Sequence, residues 1–271
     1  MTFSPKGIIV LLYHQIADKL EPNPMVVSTK VFKQQMQYLY NHEYRVIGMS
    51  ELLSKLNRSA SFQVLNPKIQ KRLNSKTVLI TFDDGYRDVY LYAYPILKEF
   101  SFPATIFLTT GMIETDKTNP KYKNMPFSNM LSWKNIREMA ENGVEFGAHT
   151  VNHLHLLQIS TKEAKREIEE SKKVVSEFTG LRVSAFSYPY GEYNEDIKKL
   201  LEEAGFVCAF TIKPGTNIEG TDLWELKRIA INCNDSLSDF KKKIIGGYGI
   251  LYKLAQIRPD RVLRKLRAHL K

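Results

Sequence analysis

The order of apolar runs constrains the fold of this chain more than any other feature. Short β-rich stretches at 7–13, 45–47, 77–82, 104–108, 144–148, 183–187, 207–211 and 226–231 alternate with segments of helical period, without a domain break. Such alternation fits an α/β fold, a parallel sheet with helices outside, closed or nearly closed into a barrel. The helix ends carry their own signals. Ser28 is placed to cap a helix over 29–40 with Val31, Phe32, Gln35, Met36 and Leu39 on one face, and Ser50 to cap 51–56. Ser132 precedes a helix over 133–142 that Gly143 ends. Ser160 and Glu163 form a capping box for a helix to 178, closed by Gly180, and Asn194 opens 195–204, stopped by Gly205. A helix over 89–100 has to accommodate Pro95. The length of 271 residues suits one such domain, since α/β barrels typically take about 250.

Two stretches fit neither element. Residues 57–76 are polar and basic without a clear period and read as a surface insertion, and 112–131 form a polar loop placed to border a substrate groove. The charge is uneven. Residues 241–271 hold ten Lys/Arg against one acid, Asp260, so +9 of the formal +10 lies there and about +1 on residues 1–240. The reading is therefore a barrel over 1–240 followed by a basic, helical extension over 241–271. A near-neutral body argues against a nucleic-acid groove. Within the extension Val262, Leu263, Leu266 and Leu270 fall near one helical face, with Arg261, Arg264, Lys265, Arg267 and Lys271 toward the others. That pattern fits a terminal helix packed on the barrel, or a basic amphipathic helix on an anionic membrane. No run reaches the roughly 18 apolar residues of a membrane span, and 7–13 lacks a small-residue cleavage site. A cytoplasmic location, or one peripheral to the membrane, is expected. Cys208 and Cys233 lie in apolar segments and read as reduced thiols.

The chemistry sits just past the predicted strands. Thr81-Phe82-Asp83-Asp84-Gly85-Tyr86 puts two adjacent carboxylates where a strand meets its loop, an arrangement that costs energy unless a cation or hydrogen bonds compensate it. An Asp-Gly turn alone would mean little. His149-Thr150-Val151-Asn152-His153 also follows a strand, and an acid pair with a His pair at strand ends points to a metal site. His14 and Pro189-Tyr190-Gly191 lie at the same relative position, and in α/β barrels the C-terminal rim of the strands carries the active site.

With these residues in view, the chain resembles the polysaccharide deacetylase family, carbohydrate esterase family four. The likeness rests on Thr-Phe-Asp-Asp-Gly at 81–85, His-Thr-x-x-His at 149–153 and Tyr-Pro-Tyr-Gly at 188–191, in order, over residues 7 to about 240. It implies a distorted (β/α)7-type barrel in a single domain and a metal-dependent hydrolase, most often with zinc, that removes acetyl groups from amino sugars of a polysaccharide or glycolipid. By that likeness Asp84, His149 and His153 are the metal ligands, Asp83 the general base, and the backbone N–H of Tyr190 a donor to the oxyanion.

Two departures follow. Many members carry an acid His on a late strand, yet here no His occurs between His155 and His269, and that strand reads Arg228-Ile229-Ala230-Ile231-Asn232. His14, in Leu-Leu-Tyr-His, is similar instead to the N-terminal Tyr-His of the biofilm poly-N-acetylglucosamine deacetylase branch and is the candidate acid. Ser187 stands where other branches carry an Arg that orients the base, and Arg228 is a candidate replacement. His155 reads as structural, with Leu156 or Leu157 in the core. Trp224, Tyr188, Tyr190 and Tyr193 are candidates for an apolar floor under an acetyl methyl and a sugar face, though Trp224 fits a core position equally well. Hydrolysis of non-sugar amides, or sugar binding without catalysis, remain alternatives.

Overall fold

A computed structural model describes residues 7–18, 23–56, 76–114 and 130–245. Most of the insertion at 57–76, most of the loop at 112–131, and the extension from 246 onward lie outside the described residues.

The strands are β1 (Ile8–Tyr13), β2 (Gln15–Ile16), β3 (Val26–Val27), β4 (Arg45–Val46), β5 (Thr77–Phe82), β6 (Thr105–Leu108), β7 (Glu145–Ala148), β8 (Ala185–Ser187), β9 (Cys208–Phe210), β10 (Thr216–Asn217) and β11 (Ile229–Ala230). The helices are α1 (Thr29–Asn41), α2 (Met49–Leu56), α3 (Tyr94–Glu99), α4 (Trp133–Glu141), α5 (Thr161–Thr179), α6 (Glu195–Glu203) and α7 (Leu237–Ile244). Parallel pairing runs β1-β5-β6-β7-β8-β9, and β11 returns to pair with β1 in parallel. The ring closes through one short segment. Leu226 bridges Phe210 at the end of β9, and three residues later β11 sets Ile229 against Leu11. Seven strands thus form a distorted barrel, as the resemblance implies. β4 and the antiparallel β10 pair at the N-terminal ends of β5 and β1.

Strands β1 and β5 are buried along their whole length, as parallel strands with helices outside must be. Their alternate side chains divide the core. Ile9, Leu11, Val78 and Ile80 face the helices with Phe32, Met36 and Leu39 of α1. Ile8, Val10, Leu79, Phe107, Cys208 and Phe210 fill the interior. Gly147 is needed there, because a Cβ on it would stand 2.4 Å from the Phe107 ring. Helix α2 plugs the N-terminal end with Met49, Leu52 and Leu56, and Glu145, the first residue of β7, accepts the Met49 N–H at 2.5 Å. The opposite end is left for the site.

At Ser28, Ser132, Ser160 and Asn194 each side chain accepts a backbone N–H of the first turn, which at Ser160 is the serine half of the expected capping box. Helix α2 starts two residues before 51, with Glu145 supplying the acceptor from another element. The helix expected over 89–100 is two pieces: a π-helical turn at Val89–Ala93, then α3 with Pro95 in its first turn. Proline has no N–H to give the preceding turn, and the widened turn absorbs that. Helix α7, with its Ser236–Asp239 capping box, escaped the sequence reading. The division expected between 240 and 241 falls inside it, where Phe240 and Ile244 are fully buried.

Candidate active site

Four strand ends build the site. Tyr13 of β1 pairs with Phe82 of β5, so His14 and Asp83 leave adjacent strands at the same level, and the Asp83 N–H donates to Tyr13 O at 3.0 Å. His14 is within electrostatic reach of Asp83, Asp84 and His153. The loop after β7 brings His149 and His153, and the turn after β8 brings Tyr190. The backbone turns through the left-handed region at Asp84 (φ 73°), Thr150 (66°), His153 (55°) and Tyr190 (58°). Four non-glycine residues in that costly region at one rim mark a functional site.

Asp83 is held by its own protein. Arg228, on the segment that closes the barrel, donates from Nη1 to Oδ1 and from Nη2 to Oδ2, both at 2.7 Å. Ser187 Oγ adds a bond to Oδ2 at 3.0 Å and accepts from Arg228 Nη2 at 2.8 Å. Arg228 is itself fixed, with Nε on Thr211 O at 2.9 Å and its guanidinium facing the adjacent rings of Phe107 and Phe210. Burial opposes ionisation of Asp83, yet Arg228 and His149 outweigh it and hold the carboxyl below its usual range. Arg228, the candidate replacement for the Arg absent at 187, is thus in direct contact with both Asp83 and Ser187.

Asp84 has no such cation among the described residues. Its Oδ1 lies 3.4 Å from His149 Nε2 and 3.6 Å from His153 Nε2, and the two ring nitrogens are 3.1 Å apart. His149 Nδ1 is 2.7 Å from Ser187 O, so it is the nitrogen that carries the proton, leaving the Nε2 lone pair toward the other two atoms. Burial pushes His153 down to about 4, so it too offers a lone pair at neutral pH. Burial works against charge on His149 as well, but Asp83 and Asp84 raise it overall. On Asp84, burial is outweighed by His149, His14 and His153, which keep the carboxyl far below its usual range. Burial and the nearby charge of Asp84 push the Tyr86 hydroxyl well above its usual range. Three lone-pair donors at these separations fit one ion. Donors each about 2.0–2.1 Å from a tetrahedral centre stand about 3.3 Å apart. Among the described residues this is the one cluster with metal-binding spacing.

The remaining candidates sort by contact. His155 is not in the cluster; its Nδ1 is 3.0 Å from Glu192 Oε2 and its ring stacks on Tyr190 at 3.7 Å. Tyr190 meets His153 edge-on at 4.6 Å and remains 44% exposed, so its ring lies beside the Asp84–His149–His153 cluster and open to solvent. Tyr188 is buried, with its hydroxyl on Trp224 O at 3.1 Å and Tyr193 stacked on it, and Trp224 packs against the core. Of the four proposed floor aromatics, Tyr190 is the one in contact with a site residue. Leu156 is the core residue of its pair, and Leu157 is exposed. Cys208 is buried and Cys233 half-buried, both reduced.

The family described as Polysaccharide deacetylase matches residues 70–209, about half of the chain. The chain belongs to the polysaccharide deacetylase family. It is 29% identical over 239 residues to "Putative polysaccharide deacetylase YxkH" of Bacillus subtilis, covering 88% of this chain and 76% of that protein. It is 27% identical over 266 residues to the "Poly-beta-1,6-N-acetyl-D-glucosamine N-deacetylase" of Staphylococcus epidermidis, covering 90% and 85%. Among solved structures, "Streptococcus pyogenes deacetylase PplD in complex with acetate" superposes with a TM-score of 0.72 at 27% identity, over 89% of this chain and 99% of that one. As a polysaccharide deacetylase it is a hydrolase of a metal-dependent family. No helix among the described residues is long and apolar enough to cross a membrane.

Proposed function

We propose that this polysaccharide deacetylase removes N-acetyl groups from amino sugars of a glycan, with zinc held by Asp84, His149 and His153. The observation that carries the reading is the convergence of one carboxylate and two imidazoles, at separations that fit one ion, beside a second carboxylate that Arg228 already neutralises. Two imidazoles and a carboxylate suit zinc and leave open positions. When bound, the ion supplies Lewis acidity to the acetyl carbonyl and acidifies water.

Asp83 is the general base. Its Oδ2 is taken by Arg228 and Ser187, while Oδ1 has one bond from Arg228 and keeps a lone pair, so Oδ1 takes the proton of the attacking water. His14, next to Asp83 on the neighbouring strand, gives a proton to the leaving amine, and the Tyr190 N–H supports the oxyanion. The name of the Staphylococcus epidermidis relative favours poly-N-acetylglucosamine as the polymer. We further propose that the basic sequence beyond α7 draws the protein to anionic membranes; loss of vesicle binding on truncation after Ile245 is the expected result.

The test is acetate release from N-acetylglucosamine oligomers of β-1,6 and β-1,4 linkage, beside non-sugar amides, with and without a chelator. Release from a sugar that needs metal and falls about 10²–10⁴-fold in His14→Ala supports the reading. Metal-loaded protein that releases acetate from no sugar overturns it. Release from the non-sugar amides alone would favour the other hydrolase reading.

A further inference from the structure

The loop carrying both histidines is closed by a carboxylate from outside every motif. We propose that Glu167, on α5, is a positioning residue that sets the spacing of His149 and His153, an inference that rests on those two residues holding a metal. Glu167 is fully buried although it sits in a helix rich in exposed acids. Its Oε2 accepts the backbone N–H groups of Val151 at 2.9 Å and Asn152 at 2.7 Å, and its Oε1 accepts Asn152 Nδ2 at 2.5 Å. Arg166 Nη2 is 3.9 Å from Oε1.

The backbone explains why an anion belongs there. Thr150 is left-handed, which turns successive N–H groups of the following residues to one side, and such a concavity binds negative charge. Here the anion is built in. Facing groups grip the loop's carbonyls: the Thr110 and Gly111 N–H groups donate to Thr150 O at 3.1 Å and Val151 O at 2.8 Å. Position 111 must be glycine for this, since a Cβ would come within 2.6 Å of Val151 O. Thr150 Oγ1 accepts the His153 N–H at 2.9 Å and completes the turn. Each end of the turn is a histidine, so the separation of the two ring nitrogens is set by how tightly Glu167 closes it.

Every group that Glu167 meets in the loop is a donor. A glutamine would fit the space but turn a donor toward a donor. The experiment titrates metal-free protein with Zn²⁺ against a chromophoric chelator and follows the folded fraction by circular dichroism. In Glu167→Gln, still folded, zinc affinity is expected to fall about 10–100-fold, as for other groups that orient metal ligands. The double variant Glu167→Gln/Asn152→Asp restores the match, because the new amide can donate to the new carboxylate while its oxygen takes the two backbone N–H groups. Most of the lost affinity should return in it, a recovery that general destabilisation does not produce. Should Glu167→Gln not fold, Asn152→Ala removes one of the three bonds and is expected to weaken zinc about fivefold. Wild type that binds zinc while folded Glu167→Gln or Asn152→Ala binds it equally overturns the role of Glu167 alone. Wild type that binds no metal overturns the proposed function itself.

Discussion

Asp83 and Asp84 are adjacent in sequence, buried to nearly the same degree, and have opposite surroundings. Around Asp83 the protein has assembled a fully buried Arg and a serine hydroxyl, so its charge is balanced before anything binds. Around Asp84 it has assembled two imidazoles and no Arg or Lys among the described residues, the surroundings that the proposed metal would complete. The left-handed turn at Asp84 makes the difference possible, because it sends two neighbouring side chains in separate directions. On the proposed reading the pair of acids is divided into one group that keeps its charge in reserve for proton transfer and one that spends it on an ion.

The comparison can be broken most sharply at Asp84. Asp84→Asn should abolish metal uptake and lower acetate release at least about 10³-fold, the several kcal/mol that a Lewis acid contributes; metal analysis and turnover check it together. Next comes Arg228→Met. It leaves the Asp83 carboxylate buried beside a single hydroxyl, and denaturant unfolding should show a loss of about 3–5 kcal/mol. Arg228 lowers the pKa of Asp83, so without it the base is protonated at higher pH and the acid limb of the kcat/KM profile moves up. The linkage runs the same way. A carboxyl held below its ordinary 3.8 adds stability that is full above about pH 4 and is lost as the pH falls, so the acid-side slope should flatten in Arg228→Met. Smallest is Ser187→Ala, which removes one bond to Asp83 and should cost about 1 kcal/mol. Its zinc affinity should not change, because His149 binds the backbone oxygen of Ser187 and not the hydroxyl.

What the sequence made legible is what is local. Asp83-Asp84-Gly85 and the His149/His153 spacing each lie within a few residues of a strand end, and the caps at Ser28, Ser132 and Asn194 are read from their own turns. Arg228 could be named only as a candidate, because its partner Asp83 is 145 residues away and only barrel closure brings them together. Glu167 went unread. Its neighbours Glu163, Glu169 and Glu170 make it look like one more solvated acid, yet it falls on the stripe Ala164, Ile168, Ser171, Val175 that α5 buries. An acid on an apolar stripe was the available signal. Strands were over-read for a related reason. Val183 is buried, but only Ala185–Ser187 pair, since burial extends past the hydrogen-bonded residues.

The most direct test of the division between the two acids is metal content and acetate release measured together on wild type, Asp83→Asn and Asp84→Asn, each first shown to be folded. The account predicts that wild type and Asp83→Asn carry a full equivalent of metal, that Asp84→Asn carries none, and that only wild type releases acetate. An Asp83→Asn protein that loses its metal as Asp84→Asn does, or that keeps wild-type turnover, would contradict it.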